Sequence, residues 1–316
     1  MTRVLVSSAG DKVPLILGLS RCRHGQFSDL QIIATDTRND CLSFHFADEG
    51  HVVPSTTENN LDALLGFCRS QAIDVVIPTR DGELEFWSQN EQSFLQIGTR
   101  ISISPPQTIF ACFDKLEFYQ QLEAHNFPAI PTFLEPEKFL SGKYVVKERF
   151  GSASKFLGLN LETRAATSFS RNLISPIFQP YIEGTEYSVD VWRSRSGDLS
   201  VSSCRTRDMV VQGEAKITST VANGELEKLS REIADLLGIR GIAVIQFIIG
   251  PSGQVWVVEC NARVGGATTA SVAAGAPLFE LLLSDNLELP YAELAKGMAL
   301  KKITQIRAEK DFIFHK

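Results

Sequence analysis

Residues 241–266 read GIAVIQFIIGPSGQVWVVECNARVGG: two strand-like runs, Ile242–Ile249 and Gln254–Cys260, on either side of Gly250-Pro251-Ser252-Gly253. Glycine and proline punctuate a chain, so this break folds the runs into an antiparallel hairpin. Residues two apart on a strand share a face, which points Glu259 and Asn261 the same way. With Ile249 paired to Gln254, Gln246 opposes Val257 and lies diagonal to Glu259 on that face. Such diagonals are roughly 7–8 Å apart, close enough for polar side chains to grip one ion. Three oxygen-bearing side chains at the end of an apolar hairpin suit a hard cation such as Mg2+, with Mn2+ as a substitute. Arg263, two residues on, offers a fork of donors to phosphate or carboxylate. The plainer reading is that Glu259 and Asn261 end a core strand and cap the next turn.

The flanking sequence turns the balance toward chemistry. Lys143–Lys147 (KYVVK) reads as a strand running into Glu148 and a loop, Gly151–Gly158, that holds Ser152, Ser154 and Lys155. Small residues let backbone N–H groups turn toward an anion, serines donate more bonds, and a lysine supplies point charge. This is the composition of a loop over triphosphate, although G-x-x-x-x-G-K-[ST] is absent; a hairpin with a flexible tip is the alternative. Ile177–Ile182 and Tyr187–Arg193 read as strands, Leu199–Arg207 as another, and 205–220 as a polar loop crossing the site. Arg205, Arg207 and Lys216 in that loop suit an acidic substrate or phosphate, or are solvated charge. Leu226, Leu229, Ile233, Leu236 and Leu237 mark a helix closed by Gly238. Ala267–Leu283 reads as a further helix whose start faces the site and favours anions.

The first hundred residues alternate. Val4–Ser7, Gln31–Thr35, His51–Pro54, Asp74–Pro78 and Ile101–Ser104 are strand-like, with helical patterns at Val13–Ser20 and Leu61–Arg69. That order implies a parallel sheet covered on both faces, with ligands beyond the strands' carboxyl ends. Ser7-Ser8-Ala9-Gly10 is not G-x-G-x-x-G, which argues against a nicotinamide cofactor. Thr79, Asp81 and Glu83 follow the fourth strand; they hold an amine, fix this domain against the next, or merely cap a helix. Pro105-Pro106 marks a boundary, and Asp114-Lys115 opens the helix Leu116–His125.

Composition bounds the rest. The chain of 316 residues is 44% hydrophobic and 22% charged, enough core for two or three domains. A net charge of −6 gives no footprint for nucleic acid or a membrane surface. Six scattered cysteines without C-x-x-C imply a reducing, cytoplasmic setting.

Taken together, DK, VVK, the Gly/Ser loop, QPYIEGTEYSVD and QF…VECNARVGG occur in the order that resembles the ATP-grasp superfamily, within it the enzymes similar to the carbamoyl-phosphate synthase large chain. The resemblance implies an α/β and α+β chain: a Rossmann-like parallel-sheet domain over 1–106, a small lid over 107–180 and an antiparallel catalytic subdomain over 181–316. It implies that Lys115 and Lys147 contact ATP phosphates and that Ser152 and Ser154 close over them. Gln179, Pro180, Tyr181 and Ile182 would form the adenine hinge, and Glu186 would hold the ribose. Gln246, Glu259 and Asn261 would bind Mg2+, and Arg263 with Lys147 would act on the transferred phosphoryl group; Arg205, Arg207, Asp81 and Glu83 are the candidates for substrate. Glu148 after the lysine, Lys155-Phe156 in the loop and Pro180 in the hinge depart from the family pattern. The implied activity is ATP-dependent ligation of a small acid, an amino acid in the first instance, to an amine or thiol through an acylphosphate. Phosphorylation of bicarbonate or carbamate, and a non-catalytic ATP-binding role, are the alternatives. Oligomeric state is left open between monomer and homodimer, many relatives being dimers.

Overall fold

The computed structural model describes residues 1–136, 142–151, 156–296, 298–308 and 310–314. Strands β1 (Thr2–Val6), β2 (Leu30–Asp36), β3 (Glu49–Val52), β4 (Val75–Ile77) and β5 (Arg100–Ile101) form a parallel sheet in the order β3-β2-β1-β4-β5. The central strands are apolar on both faces because helices cover both, among them α1 (Val13–Ser20) and α2 (Leu61–Ser70). Strand β5 is shorter than the sequence implies. Ser104 leaves the sheet for Arg240, donating to its carbonyl at 3.3 Å and accepting from its N–H at 2.9 Å. Strand order reverses at β1, so the crevice beyond β1 and β4 receives Ser7–Lys12 and the start of α3 (Asp81–Gln89).

After α4 (Glu91–Leu95) and α5 (Pro106–Phe113), Asp114 caps α6 (Lys115–Ala124), accepting from the N–H groups of Leu116 and Glu117. A three-stranded antiparallel sheet follows: β6 (Lys143–Glu148), β7 (Gly158–Glu162) and β8 (Pro176–Pro180), ordered β7-β6-β8 and backed by α7 (Thr163–Ser170). Its core is small: Tyr144, Val146, Ala166 and Phe178.

The third sheet is antiparallel and six-stranded, β13-β12-β9-β10-β11-β14. Its strands are β9 (Thr185–Arg193), β10 (Ser200–Val211), β11 (Glu214–Thr220), β12 (Gly241–Ile249), β13 (Val255–Asn261) and β14 (Thr304–Ile306). Helix α8 (Gly224–Leu237) lays Leu226, Ile233 and Leu237 on β9 and β10 and ends at Gly238 with φ of 66°, the left-handed turn that glycine adopts without strain. The apolar interior runs unbroken from Leu5, Ile33 and Val76 of the first sheet to Val189, Ile245 and Phe247 of the third. Edge strand β13 is covered by residues 128–130: Val257 N–H donates to Pro128 O at 2.8 Å, and Ile130 N–H to Val257 O at 3.1 Å.

Three expectations are corrected. Residues 205–220 are the β10–β11 hairpin rather than a loop; Asp208–Val211 are exposed, so no buried face marks the end of β10. The helix expected over 267–283 is two, α9 (Thr268–Ala273) and α10 (Leu278–Asn286), broken where Gly275 takes φ of 107° and Pro277 precedes α10. The β12–β13 register also differs, because a bulge inserts one residue.

Candidate active site

That bulge builds the metal candidates. Ile249 pairs with Val255 and Phe247 with Val257, but Gln246 pairs with Glu259, so Val258 is the extra residue. Burial follows suit: Val257 and Cys260 are buried, while Val258 and Glu259 in succession are half-buried. Gln246 and Glu259 therefore stand directly opposite each other rather than on a diagonal. Asn261 Nδ2 donates to Glu259 Oε1 at 3.1 Å, which leaves Asn261 Oδ1 as an acceptor. The three present hard oxygen donors with a single negative charge among them. Such a set fits Mg2+ whose remaining positions are filled by phosphate oxygens.

These side chains line a cavity of about 1020 Å³ between the three sheets, and Lys115 and Lys147 line it too. Burial lowers the Lys147 pKa to about 8, with Glu259 opposing the fall and Lys115 adding to it. Lys147 Nζ donates to no acceptor among the described residues. Burial also lowers Lys115, against the pull of Glu259 and Asp81. Lys115 Nζ donates to Gly151 O at 2.8 Å and Arg149 O at 3.4 Å, tying α6 to the start of the loop after β6. Ser152, Ser154 and Lys155 lie outside the described residues. Burial would raise the Asp114 carboxyl, but the Arg149 fork at 2.6 and 2.7 Å and two backbone N–H groups hold it below its ordinary range. Glu148, the departure after the lysine, accepts from the N–H groups of Ile174 and Ser175 at 2.8 and 2.9 Å.

At the hinge, Tyr181 N–H donates to Lys143 O at 3.0 Å, and Phe178 N–H turns away from β6 to Phe133 O at 2.8 Å. Alternation along β8 thus turns position 180 away from β6, where a proline costs no ladder bond. Ile182 N–H has no partner among the described residues. The Gln179 side chain is buried and donates through Nε2 to Thr132 Oγ1 at 2.8 Å. Glu186 accepts from Arg207 Nε at 2.9 Å, and both line the cavity.

The other end is built from distant segments. Arg263 makes a two-pronged pair with Asp81, at 2.7 Å to Oδ1 and 2.6 Å to Oδ2, joining the first sheet's crevice to the hairpin. Glu83 is corrected as a substrate residue. It is 0% exposed and accepts from Ser7 Oγ, Ser8 Oγ, the N–H groups of Thr79 and Arg80, and Trp87 Nε1. Five donors satisfy a buried carboxylate, and none is left for a ligand. Arg205 is 2% exposed on β10 rather than on a polar loop crossing the site, with Nε 2.9 Å from Asp190. Lys12 and Arg307 also line the cavity, beyond the residues that the sequence points to. Lys12 follows the first strand's exit, a position worth weighing in a parallel sheet; Arg307 carries no sequence signal at all.

Residues 112–267 match the family described as the ATP-grasp domain, and residues 4–102 the family described as the PylC-like N-terminal domain. No curated protein matches the chain in sequence. Its fold is similar to that of an ADP complex of purK, N5-carboxyaminoimidazole ribonucleotide synthetase: TM-score 0.75, 17% identity, covering 96% of this chain and 81% of that one. The L-amino acid ligase from Bacillus licheniformis gives 0.72 at 16% identity, over 95% and 78%. The biotin carboxylase domain of Hydrogenobacter thermophilus 2-oxoglutarate carboxylase, in complex with MgADP, ADP and bicarbonate, gives 0.73 at 12%, over 90% and 69%.

Proposed function

The chain belongs to the ATP-grasp superfamily, and from that premise we propose that it is an ADP-forming ligase joining a small carboxylic acid, an amino acid first among them, to an amine, or less readily a thiol. A carboxylate cannot be attacked directly, since oxide would have to leave. In the proposed reaction a carboxylate oxygen attacks the γ-phosphorus of ATP, the bond to the β–γ bridging oxygen breaks, and ADP departs. The amine nitrogen then attacks the acyl carbon, the bond to phosphate breaks, and the amine proton leaves with phosphate or to solvent.

In this reading the protein positions charge and excludes water. Lys115 and Lys147 face the phosphates, and Ser152 and Ser154, outside the described residues, would close over them. Backbone groups from Gln179 to Ile182 meet the adenine edge, and Glu186, exchanging Arg207 for ribose, meets the hydroxyls. Arg263, held by Asp81, stands where the phosphoryl group is transferred. Gln246, Glu259 and Asn261 would hold Mg2+, which when bound neutralises phosphate oxygens. Residues 107–180 serve as the lid, and free thiols in an acidic chain suit the cytoplasm.

The observation that supports this most is the convergence of Gln246, Glu259 and Asn261 with Lys115 and Lys147 on one cavity. ADP release measured with MgATP and pools of acids and amines tests it. Release that needs both an acid and an amine is the expected result. Release with bicarbonate alone moves the assignment to bicarbonate or carbamate phosphorylation, and nucleotide binding without turnover in any pool removes catalysis.

A further inference from the structure

Beyond Arg263 the cavity continues into a basic end made by Lys12 from the loop after β1, Arg205 from β10 and Arg307 just after β14. Among the described residues, the carboxylates around this end are already engaged. Asp190 accepts from Arg205 Nε at 2.9 Å and from Thr268 Oγ1 and Ser271 Oγ, each at 2.6 Å. Asp81 is held by Arg263, and Glu214 lies 3.2 Å from Arg307 Nη1 and 3.6 Å from Lys216 Nζ.

The cations keep unspent donors. Among the described residues, Arg205 Nη1 and Arg307 Nε are buried without a partner and Lys12 Nζ makes no hydrogen bond. Buried guanidinium nitrogens without acceptors are costly, so a recurring pattern of them calls for an acceptor from outside. An amine would find its carboxylates taken and three positive groups facing it. The backbone leaves room as well: a Cβ at Gly266 would sit 2.7 Å from Arg307 Nη2, which bonds the Gly266 carbonyl.

We propose that the acid substrate is a small dianion whose second anionic group, carboxylate or phosphate, is bound by Lys12, Arg205 and Arg307. Its reacting carboxylate then lies at Arg263, beside the metal hairpin. Asp81 marks this middle position, since its charge is felt both by Lys115 on the nucleotide side and by Lys12 on this side. Burial and the charges of Arg263 and Arg307 depress the Lys12 pKa, as expected of a lysine among cations awaiting an anion. The proposal rests on the ligase reading for the chemistry of the first carboxylate, and on this cluster for the second.

The test compares butyrate with glutarate and 3-phosphonopropionate as acids in ADP release, using the full chain, Lys12→Met, Lys12→Arg and Arg307→Met. The dianions should show KM values at least about 10-fold below butyrate. Lys12→Met and Arg307→Met should erase that advantage while leaving KM for ATP within about 2-fold, and Lys12→Arg should restore most of it. Preference for glutarate or for the phosphonate then separates carboxylate from phosphate as the second group. Equal KM for butyrate and both dianions, or a preference untouched by both methionine variants, overturns the proposal and leaves the ligase reading standing. If no acid supports ADP release, the ligase reading falls, and calorimetry of glutarate against butyrate decides the anion site alone. Tighter glutarate binding that Lys12→Met weakens sustains the site, and equal binding overturns it.

Discussion

At one end of the cavity, Gln246, Glu259 and Asn261 stand on a single hairpin closed by a short turn; at the other, Lys12, Arg205 and Arg307 meet only because the first sheet packs against the third and β14 joins the third at its edge. The first arrangement is set by register, a local property that a bulge adjusts by one residue. The second is set by the whole fold and persists only while the sheets keep their relation. In the proposed reaction, chemistry common to many substrates would be carried by local geometry, and the part that meets a particular acid by long-range packing.

The hardest blow to this comparison falls on the hairpin. Glu259→Gln removes the only charge of the metal set, so turnover should drop about 100- to 1,000-fold while circular dichroism stays that of the parent. Activity within a few-fold of the parent would remove Glu259 from the metal site. Lys147→Ala should raise the Kd for ATP about 30-fold with little change in the acid-end preference. Its pH profile sharpens the point. The lysine pKa is lowered to about 8, so its charge is present below that pH and lost above it. Nucleotide affinity should fall as pH rises past about 8 in the parent and stay flat in the alanine variant, as followed by nucleotide titration.

Asp190→Asn probes the opposite end. It strips the buried partner from Arg205 and loosens Thr268 and Ser271, so stability should fall by about 3 kcal/mol in urea titrations. KM for the acid should rise about 10-fold more than KM for ATP; equal rises would mean the two ends are not independent. The smallest effect is at the hinge. Pro180→Ala supplies an N–H turned away from β6 and should tighten nucleotide binding by about 3-fold, read by the same titration.

Sequence and structure agree where periodicity is local. The strand–helix alternation of the first sheet, the helix ending at Gly238 and the hairpin at 241–261 were all legible. The register was not, because nothing in VWVVECN announces that Val258 is inserted; only the buried face of β13 reveals it. The β10–β11 hairpin is hidden because its far end, Asp208–Val211, is exposed on both faces and so carries no inward–outward alternation, even though Met209, Val210 and Val211 are apolar. The break in 267–283 is visible as AAGAP, where glycine and proline interrupt a run of helix-favouring alanines. Glu83 looks like a ligand in sequence and is a buried anchor, since a carboxylate's partners are invisible until the fold brings Ser7, Ser8 and Trp87 to it. Lys12 and Arg307 share no spacing with Arg205, and no linear pattern could have joined them.

The continuity of the interior from Leu5 to Cys260 has a practical outcome for anyone cutting the gene. A fragment starting near residue 107 would strip the first sheet and α3 from the cluster they share with Ile109, Phe118 and Val257, exposing the face of α5 that packs on α3. The shortest piece that stands alone is therefore longer than the segment bearing Lys115, Lys147 and the 241–261 hairpin, and truncated versions should be recovered as aggregates rather than as small folded proteins.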